Sequence, residues 1–369
     1  MLSLSMDLIG TTSKEFGDII DSGLRRIGEF TGVDRVYIFK IDENDNTLSN
    51  TQEWCAKGIT PQINNLQKIP KEKVPFWFKK IIHHQEIYIA SVNGMGEEWG
   101  EALKETLEAQ NIQSLLVESI FYKDTTFGFI GFDSVNNKRS WQKEERRLLR
   151  LAGNIIGEAY HGMAAEKKIQ KAFAGTIEII MSMLEVRYAY TTGHQRRVAQ
   201  LTDKIADNFP LSNKDKKGLE VASKIHDIGK IILPAEILSK PTKLTDLEFD
   251  HIKQHPTVGY KILEKISFPW PVAEIILQHH ERLDGSGYPQ GLKKDEISLE
   301  AKILAVADVV EAMSSQRPHR PALGMKDALN EIKKYRGKYF KPDVVDACVD
   351  IIESGFKFME VEGTVLSTE

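Results

Sequence analysis

Seven of the ten histidines in this 369-residue chain, His194, His226, His251, His255, His279, His280 and His319, lie between residues 194 and 319. An even distribution would place roughly three or four there. Several of them, with Asp227 and Asp308, sit in apolar helical runs such as Ala222-Ser-Lys-Ile-His-Asp-Ile-Gly-Lys-Ile-Ile232 and Ile303-Leu-Ala-Val-Ala-Asp-Val-Val310. An ionisable side chain in such surroundings is costly to bury unless it is paired or holds a cation. His194 lies 32 residues before His226, and His279-His280 begins 53 after it. Those separations put each residue on a different helix, so several helices must converge on one polar site. The pattern points to metal or acid–base chemistry in the C-terminal half.

Beyond residue 185 the hydrophobic spacing predicts helices over 198–209, 214–226, 244–254, 272–280, 299–313, 326–335 and 343–352, punctuated by Pro and Gly. This half is expected to be nearly all-α. Tyr335, Tyr339 and Phe340 are expected to pack in its core rather than stack on bases. The first 150 residues read differently, as α+β. A helix is expected over 16–31 and a strand over 35–41, with an antiparallel hairpin formed by 114–122 and 126–133. Between the halves, Leu148, Ala152, Ile155, Ala159 and Met163, then Ile169, Phe173, Ile177, Ile180 and Leu184, recur at spacings of three and four. They mark an apolar stripe on one long helix, which either packs on its own domains or pairs two chains; the pairing is the favoured expectation. Gly153, Gly157 and Gly162 weaken that helix locally, and Arg146, Arg147 and Arg150 read as its solvated face.

Composition narrows the function classes. The 49 basic against 53 acidic residues give a net charge of −4. No global basic field exists to bind DNA or RNA polymers, and a small anion would need a local cationic or metal site. No stretch reaches the roughly 18 apolar residues of a membrane span, and the N-terminus lacks a secretory leader, so the cytoplasm is the expected location. Cys55 and Cys348 are too few for a disulfide framework or a thiolate zinc site and are expected to be buried.

Two resemblances follow from these residues. The helix, the hairpin, Gly128-Phe-Ile-Gly-Phe-Asp-Ser134, Trp141, Glu145 and a closing helix resemble a GAF sensory domain. That resemblance implies a six-stranded sheet domain whose pocket takes a small regulatory ligand or which serves only as a dimer scaffold. The second is more specific: H…HD…D, with His226-Asp-Ile-Gly-Lys230 and His279-His-Glu-Arg-Leu-Asp-Gly-Ser-Gly-Tyr-Pro289, resembles the HD-GYP subgroup of HD phosphohydrolases. The chain is therefore expected to be multidomain, an α+β GAF-type sensory domain (1–147) joined by a long helix (148–184, a dimer seam) to an all-α HD-type helical bundle (185–369).

The HD-GYP resemblance implies a cyclic di-GMP phosphodiesterase with two or three divalent ions, iron or alternatively manganese. Carried over residue by residue, His194, His226, Asp227 and Asp308 resemble the ligands of a first metal, and Asp227, His255, His279 and His280 those of a second. Glu185 matches the glutamate of members that bind a third. Eight ligands exceed the roughly six positions of one octahedral ion, and their nitrogen and oxygen donors suit iron or manganese. His251 is read as a non-ligand. The expected chemistry is in-line attack on the phosphodiester by a metal-bridging water, opening cyclic di-GMP to pGpG and continuing to GMP, under GAF control. Lys230 would offer a point charge to phosphate. Gly285 and Gly287 would let backbone approach the ligand, Tyr288 would meet guanine or phosphate, and Arg317 and Arg320 match a family arginine segment. His319 stands where the family has Tyr. The alternatives are a silent cyclic di-GMP receptor and a hydrolase of another cyclic dinucleotide.

Overall fold

The computed structural model describes residues 13–42, 44–187, 193–316 and 322–359. Its chain divides into two compact units, Met1–Gln170 and Lys171–Glu369.

In the first unit, helix α1 (Ser13–Thr31) precedes strands β1 (Arg35–Asp42), β2 (Thr47–Cys55) and β3 (Ile69–Pro70). Helix α2 (Pro75–Ile82), β4 (Ile87–Ile89), α3 (Glu101–Ala109), β5 (Ser114–Tyr122) and β6 (Thr125–Ser134) follow. The strands form one antiparallel sheet in the order β3-β2-β1-β6-β5-β4. Because side chains alternate across a strand, each strand feeds two cores. Val36 and Ile38, Leu116 and Ile120, and Ile130 and Phe132 point to the face covered by α1. Tyr37, Phe39, Leu115, Val117 and Phe129 point to the other, under Trp77 and Ile81 of α2 and Leu103 and Leu107 of α3.

Helix α4 runs from Lys143 to Arg187 without a break. Leu149, Ala152 and Ile156 are fully buried in the first core, with Leu148, Ile155, Ala159 and Met163 packed against it. Gly153 and Gly157 are the reason α4 can lie so close to β5: a Cβ would stand 2.8 Å from the Ser119 carbonyl oxygen at the first and 2.8 Å from the Phe121 carbonyl carbon at the second. The basic cluster is not merely a solvated face. Arg146 pairs with Glu86, and Arg150 with Glu118, whose carboxyl burial pushes up to about 7 against the pull of Arg150.

The second unit adds α5 (His194–Ala206), α6 (Asn213–Ile225), a 3₁₀ turn (Ile228–Ile232), α7 (Ala235–Leu238), α8 (Asp246–Ile252) and α9 (His255–Leu263). It closes with α10 (Val272–Gln278), α11 (Leu299–Ser314), α12 (Met325–Lys334) and α13 (Pro342–Glu353). Its ends are written into the sequence: Ser212 with Asp215 and Thr245 with Glu248 form reciprocal capping boxes on α6 and α8. The hydrophobic spacing predicts no helix over 255–263, yet α9 forms there, and Pro256 at its start sets it off from α8. The core joins Val198 and Leu201, Ala222 and Ile225, Ile275 and Ile276, and Ile303 and Val306. From α4, Ile177 and Met181 enter the same core, Phe173 and Ile180 pack against it, and Leu184 is buried beside Leu233 and Leu238. Most of the stripe read from the sequence is thus taken up within the units, while Ile169 is 69% exposed. Phe340 and Cys348 are buried in the second unit, but Cys55, expected inside, is only half-buried at the end of an outer stretch of β2.

Candidate metal centre

The ligand-type residues of the second unit cluster at helix ends. His194 opens α5 behind Gly193, which adopts the left-handed conformation (φ 75°). His226 and His279 directly follow α6 and α10, and His255 opens α9. The last carbonyls of a helix lack intrahelical partners. Here imidazoles satisfy three of them: Nδ1 of His226 donates to Ser223 O at 2.8 Å, that of His255 to Ile252 O at 2.7 Å, and that of His279 to Ile276 O at 2.5 Å.

A carbonyl oxygen only accepts, so Nδ1 carries the hydrogen and a neutral ring keeps a bare lone pair on Nε2. His255 and His279, with His280 beside them, are held neutral. Burial, then the charge of Lys230, lowers His255 to about 4; burial and the neighbouring imidazoles lower His279 and His280 well below the usual histidine range. Two bare nitrogens cannot hydrogen-bond each other, yet Nε2 of His255 and Nε2 of His279 face one another at 3.4 Å. Nε2 of His226 has no hydrogen-bond partner among the described residues. A buried convergence of lone pairs of this kind is costly without a cation between them.

Carboxylates complete the arrangement. Asp227 places Oδ1 3.5 Å from His255 Nε2, and Oδ2 3.6 Å from His226 Nε2 and 3.7 Å from His194 Nε2. Asp308 Oδ1 lies 3.4 Å from His194 Nε2 and 3.8 Å from His226 Nε2. Burial alone would raise both carboxyls; Lys230 and the imidazoles around Asp227, and His194 and His226 beside Asp308, outweigh it and hold both well below the carboxylate range. Three sets of donor atoms each fit within 4.8 Å: His194, His226 and Asp308; His226, Asp227 and His279; and His255, His279 and His280. Seven of the eight sequence-derived ligands are therefore brought together.

Glu185 is not gathered with them. Both its oxygens accept from Arg196 Nη1 at 3.1 Å, and one accepts from Gly193 N at 2.9 Å. The carboxylate that the sequence reading assigned to a third metal is occupied by an ion pair at the mouth of α5. Lys230 Nζ donates to Asp227 Oδ2 at 2.6 Å, so it braces a ligand of the site. His251, read as a non-ligand, belongs to none of the three sets.

Two buried acids, Glu281 and Glu311, join the site beyond the residues that the sequence singles out. Glu311, one turn after Asp308 on α11, accepts from His194 Nδ1 and is bound by Arg197 Nη2 at 2.6 Å. Burial raises its carboxyl, but His194 and Arg197 bring it down to about 2. Its signal was present: a second acid at i+3 in the same apolar helix. Glu281 accepts from the backbone of Gln290 and Leu292 at 2.7 and 3.0 Å and so folds the Gly-rich loop onto the site. In that loop Gly285 has φ 83°, and a Cβ on Gly287 would stand 2.6 Å from the Glu281 carbonyl carbon. Tyr288 is thereby placed with its ring 4.8 Å from that of His280. Arg317, His319 and Arg320 lie outside the described residues.

The first unit holds a cavity of about 290 Å³ between the sheet, α2 and α3. Tyr37, Phe39, Trp77 and Phe129 are among its aromatic lining. Arg35, Asn50 and Asp133 are the buried part of its polar lining: Arg35 Nη1 donates to Asp133 Oδ2 at 3.1 Å and its Nε stands 3.5 Å from Glu53 Oε1. Asn50 Oδ1 and Asp133 Oδ1 have no partner among the described residues, and burial pushes the Asp133 carboxyl up to about 7 despite Arg35.

Comparison with known proteins finds a family model for each unit. Residues 15–160 match the GAF domain model and residues 178–344 the HD domain model. A cyclic di-GMP phosphodiesterase of Thermotoga maritima is 43% identical over 173 residues, 46% of this chain and 47% of that protein. The Xanthomonas campestris cyclic di-GMP phosphodiesterase response regulator RpfG is 38% identical over 187 residues, half of each chain. A 3'3'-cGAMP-specific phosphodiesterase 3 of Vibrio cholerae is 40% identical over 147 residues, 40% of this chain and 32% of that one. The chain spans about half the length, or less, of these curated relatives. Among the described residues, no helix is long and apolar enough to cross a membrane.

Proposed function

We propose that this chain, a GAF domain followed by an HD domain, is a metal-dependent phosphodiesterase that opens cyclic di-GMP to pGpG and carries it on to GMP. The observation that carries the reading is the buried meeting of His255 and His279 through bare nitrogens at 3.4 Å, with Asp227 Oδ1 3.5 Å from His255 and a second imidazole–carboxylate set beside them. His194, His226, Asp227 and Asp308 would hold one ion, and Asp227, His255, His279 and His280 another. The absence of thiolate and the mixture of imidazole and carboxylate favour iron, or manganese. Bound there, divalent ions supply Lewis acidity, positive charge against phosphoryl oxygens and a water acidic enough to act near neutral pH. A third ion would require Glu185 to exchange Arg196 for a metal.

The chain's own residues do the rest. The carbonyls of Ser223, Ile252 and Ile276, and the Glu311 carboxylate, fix the tautomer and orientation of four imidazoles. Lys230 holds Asp227 in place. Gly285 and Gly287 keep the loop close, so that Tyr288 offers an aromatic face beside His280 for a base or a sugar–phosphate edge. Arg317 and Arg320 are assigned to the phosphate by family likeness.

The cavity in the first unit, with its aromatic wall and buried Arg35–Asp133 pair, supports control by a small ligand of the GAF domain. The linker helix over 148–184 is the element that would carry its effect, in a cytoplasmic homodimer. The Vibrio relative favours one second reading, in which 3'3'-cGAMP is the substrate. The test is anaerobic purification, quantification of iron, manganese and zinc per chain, and chromatography of products from both dinucleotides. Two ions per chain with pGpG appearing from cyclic di-GMP are expected. Bound metal and tight dinucleotide binding without turnover in both iron and manganese forms would refute the enzyme and leave a receptor.

A further inference from the structure

The long helix α4 carries a second apolar face, different from the one consumed in the two cores. Every residue from Ala164 to Ala172 is exposed. From Ile169, steps of three, four, three, four and three lead through Ala172, Thr176, Ile179 and Met183 to Val186. All six are exposed, and the four large ones strongly: Ile169 69%, Ile179 59%, Met183 66% and Val186 70%. A globular helix hides such residues against its own core; a strict alternation of three and four, period 3.5, is the pattern of a seam between two helices.

A second observation fits the same reading. At the C-terminal end of the seam the surface forms an apolar depression lined by Ile179, Ser182, Met183 and Val186, with Glu178 at its edge. Residues i, i+3, i+4 and i+7 are the four that form a hole for one knob of a facing helix. Ser182, the small member, keeps that hole open. Taking Ile169, Thr176 and Met183 as a positions and Ala172, Ile179 and Val186 as d positions, the hole is d-g-a-d. In a parallel, in-register pair it receives the a-position side chain at the same level, which is Met183 of the other copy.

We infer that two copies of this chain pair through this face of α4 as a parallel, in-register coiled coil. The symmetry supports a second copy over a different protein. A two-fold axis along the seam sets each layer against itself, so the small Ala172 meets Ala172 and the large Met183 meets Met183, with no mismatch of size. The inference rests on the homodimer reading above and deepens it by naming the face: the seam is Ile169, Ile179, Met183 and Val186, not the Phe173, Ile177, Ile180 and Leu184 stripe that packs inside the second unit.

The test uses the full chain in a Cys55→Ser background. Sedimentation equilibrium at micromolar concentration should give twice the 41.8 kDa of one chain. Mild oxidation should link Met183→Cys into a covalent dimer, while Ala174→Cys, exposed on another face of the helix, stays unlinked. Ile179→Glu combined with Met183→Glu should yield a monomer with unchanged helix content and metal content. A monomeric parent would overturn both the homodimer and the seam. A dimer that survives the double glutamate change, or that links equally through position 174, would overturn the seam alone. Cyclic di-GMP turnover measured on the same samples keeps this separate from the enzyme assignment, since an inactive but cross-linkable dimer refutes the phosphodiesterase and leaves the seam standing.

Discussion

Gly229 stands two residues after Asp227, in the 3₁₀ turn that carries Lys230, and α9 begins directly against it. A Cβ at this position would lie 2.6 Å from Gly259 N and 2.8 Å from the carbonyl carbon of His255, and closer still to that carbonyl's oxygen. Ordinary contact begins near 3.4 Å, so the start of α9 would have to retreat by at least about 0.8 Å. The retreat would be transmitted to His255, whose Nε2 now sits 3.5 Å from Asp227 Oδ1. Forcing one methyl into a packed site costs roughly 1–3 kcal/mol, and a misplacement near 1 Å at a reacting centre costs on the order of 100-fold in rate. Gly229→Ala should therefore lower kcat for cyclic di-GMP by roughly two orders of magnitude and weaken retention of the ion that His255 would hold. Gly259→Ala is the matched control: its Cβ would meet Ile276 Cγ2 at 3.1 Å, a side-chain methyl that can shift, so the loss should be much smaller. Steady-state turnover together with metal content after dialysis reads both. A Gly229→Ala protein with the parent's metal content and turnover would show that the close approach of α9 does not place His255.

Three further outcomes follow from the same geometry. Glu311→Gln removes the carboxylate that orients His194 through Nδ1, and metal affinity should fall roughly 10–100-fold, read by competition with a chromophoric chelator; unchanged affinity would make Glu311 a purely structural partner of Arg197. In metal-stripped protein, His255 is held at about 4 in the fold but titrates near 6.5 when unfolded, so the unfolded chain takes the proton first. The second unit should then lose stability as pH falls from 6.5 through 4, with Asp227 and Asp308 adding to the loss below 3.8, and a urea midpoint that rises on acidification would contradict this. Asp133 has the opposite sign: its carboxyl is raised from 3.8 to about 7, so its contribution is full below pH 3.8 and is lost as pH rises through 7. Asp133→Asn should stabilise the first unit by roughly 4 kcal/mol at pH 8 and hardly at all at pH 4, measured by denaturant unfolding followed at Trp77 and Trp141; equal effects at both pH values would refute the assignment.

Much of the site was legible because its residues are chemically out of place where they stand. His226, Asp227 and Asp308 interrupt apolar helical runs, and the cost of burying them unpaired already requires partners before any coordinate is known. The two-fold alternation of β1, β5 and β6 and the capping boxes of α6 and α8 are likewise local, set by residues within a few positions of one another. Other features were decided only by tertiary packing. Glu185 lies nine residues before His194 in sequence, yet its carboxylate meets Arg196 and the Gly193 amide, because the first turn of α5 brings that guanidinium to it. Glu311 stands out in the sequence as a second acid in an apolar helix, but only the packing of α11 sets it against His194 and Arg197. The apolar residues of α4 all obey helical spacing, so periodicity alone could not divide them. Spacing tells which residues share a face of a helix, whereas which face meets a core depends on where neighbouring helices and strands come to lie. In α4 that choice buries Ile177, Met181 and Leu184 and leaves Ile179, Met183 and Val186 in water.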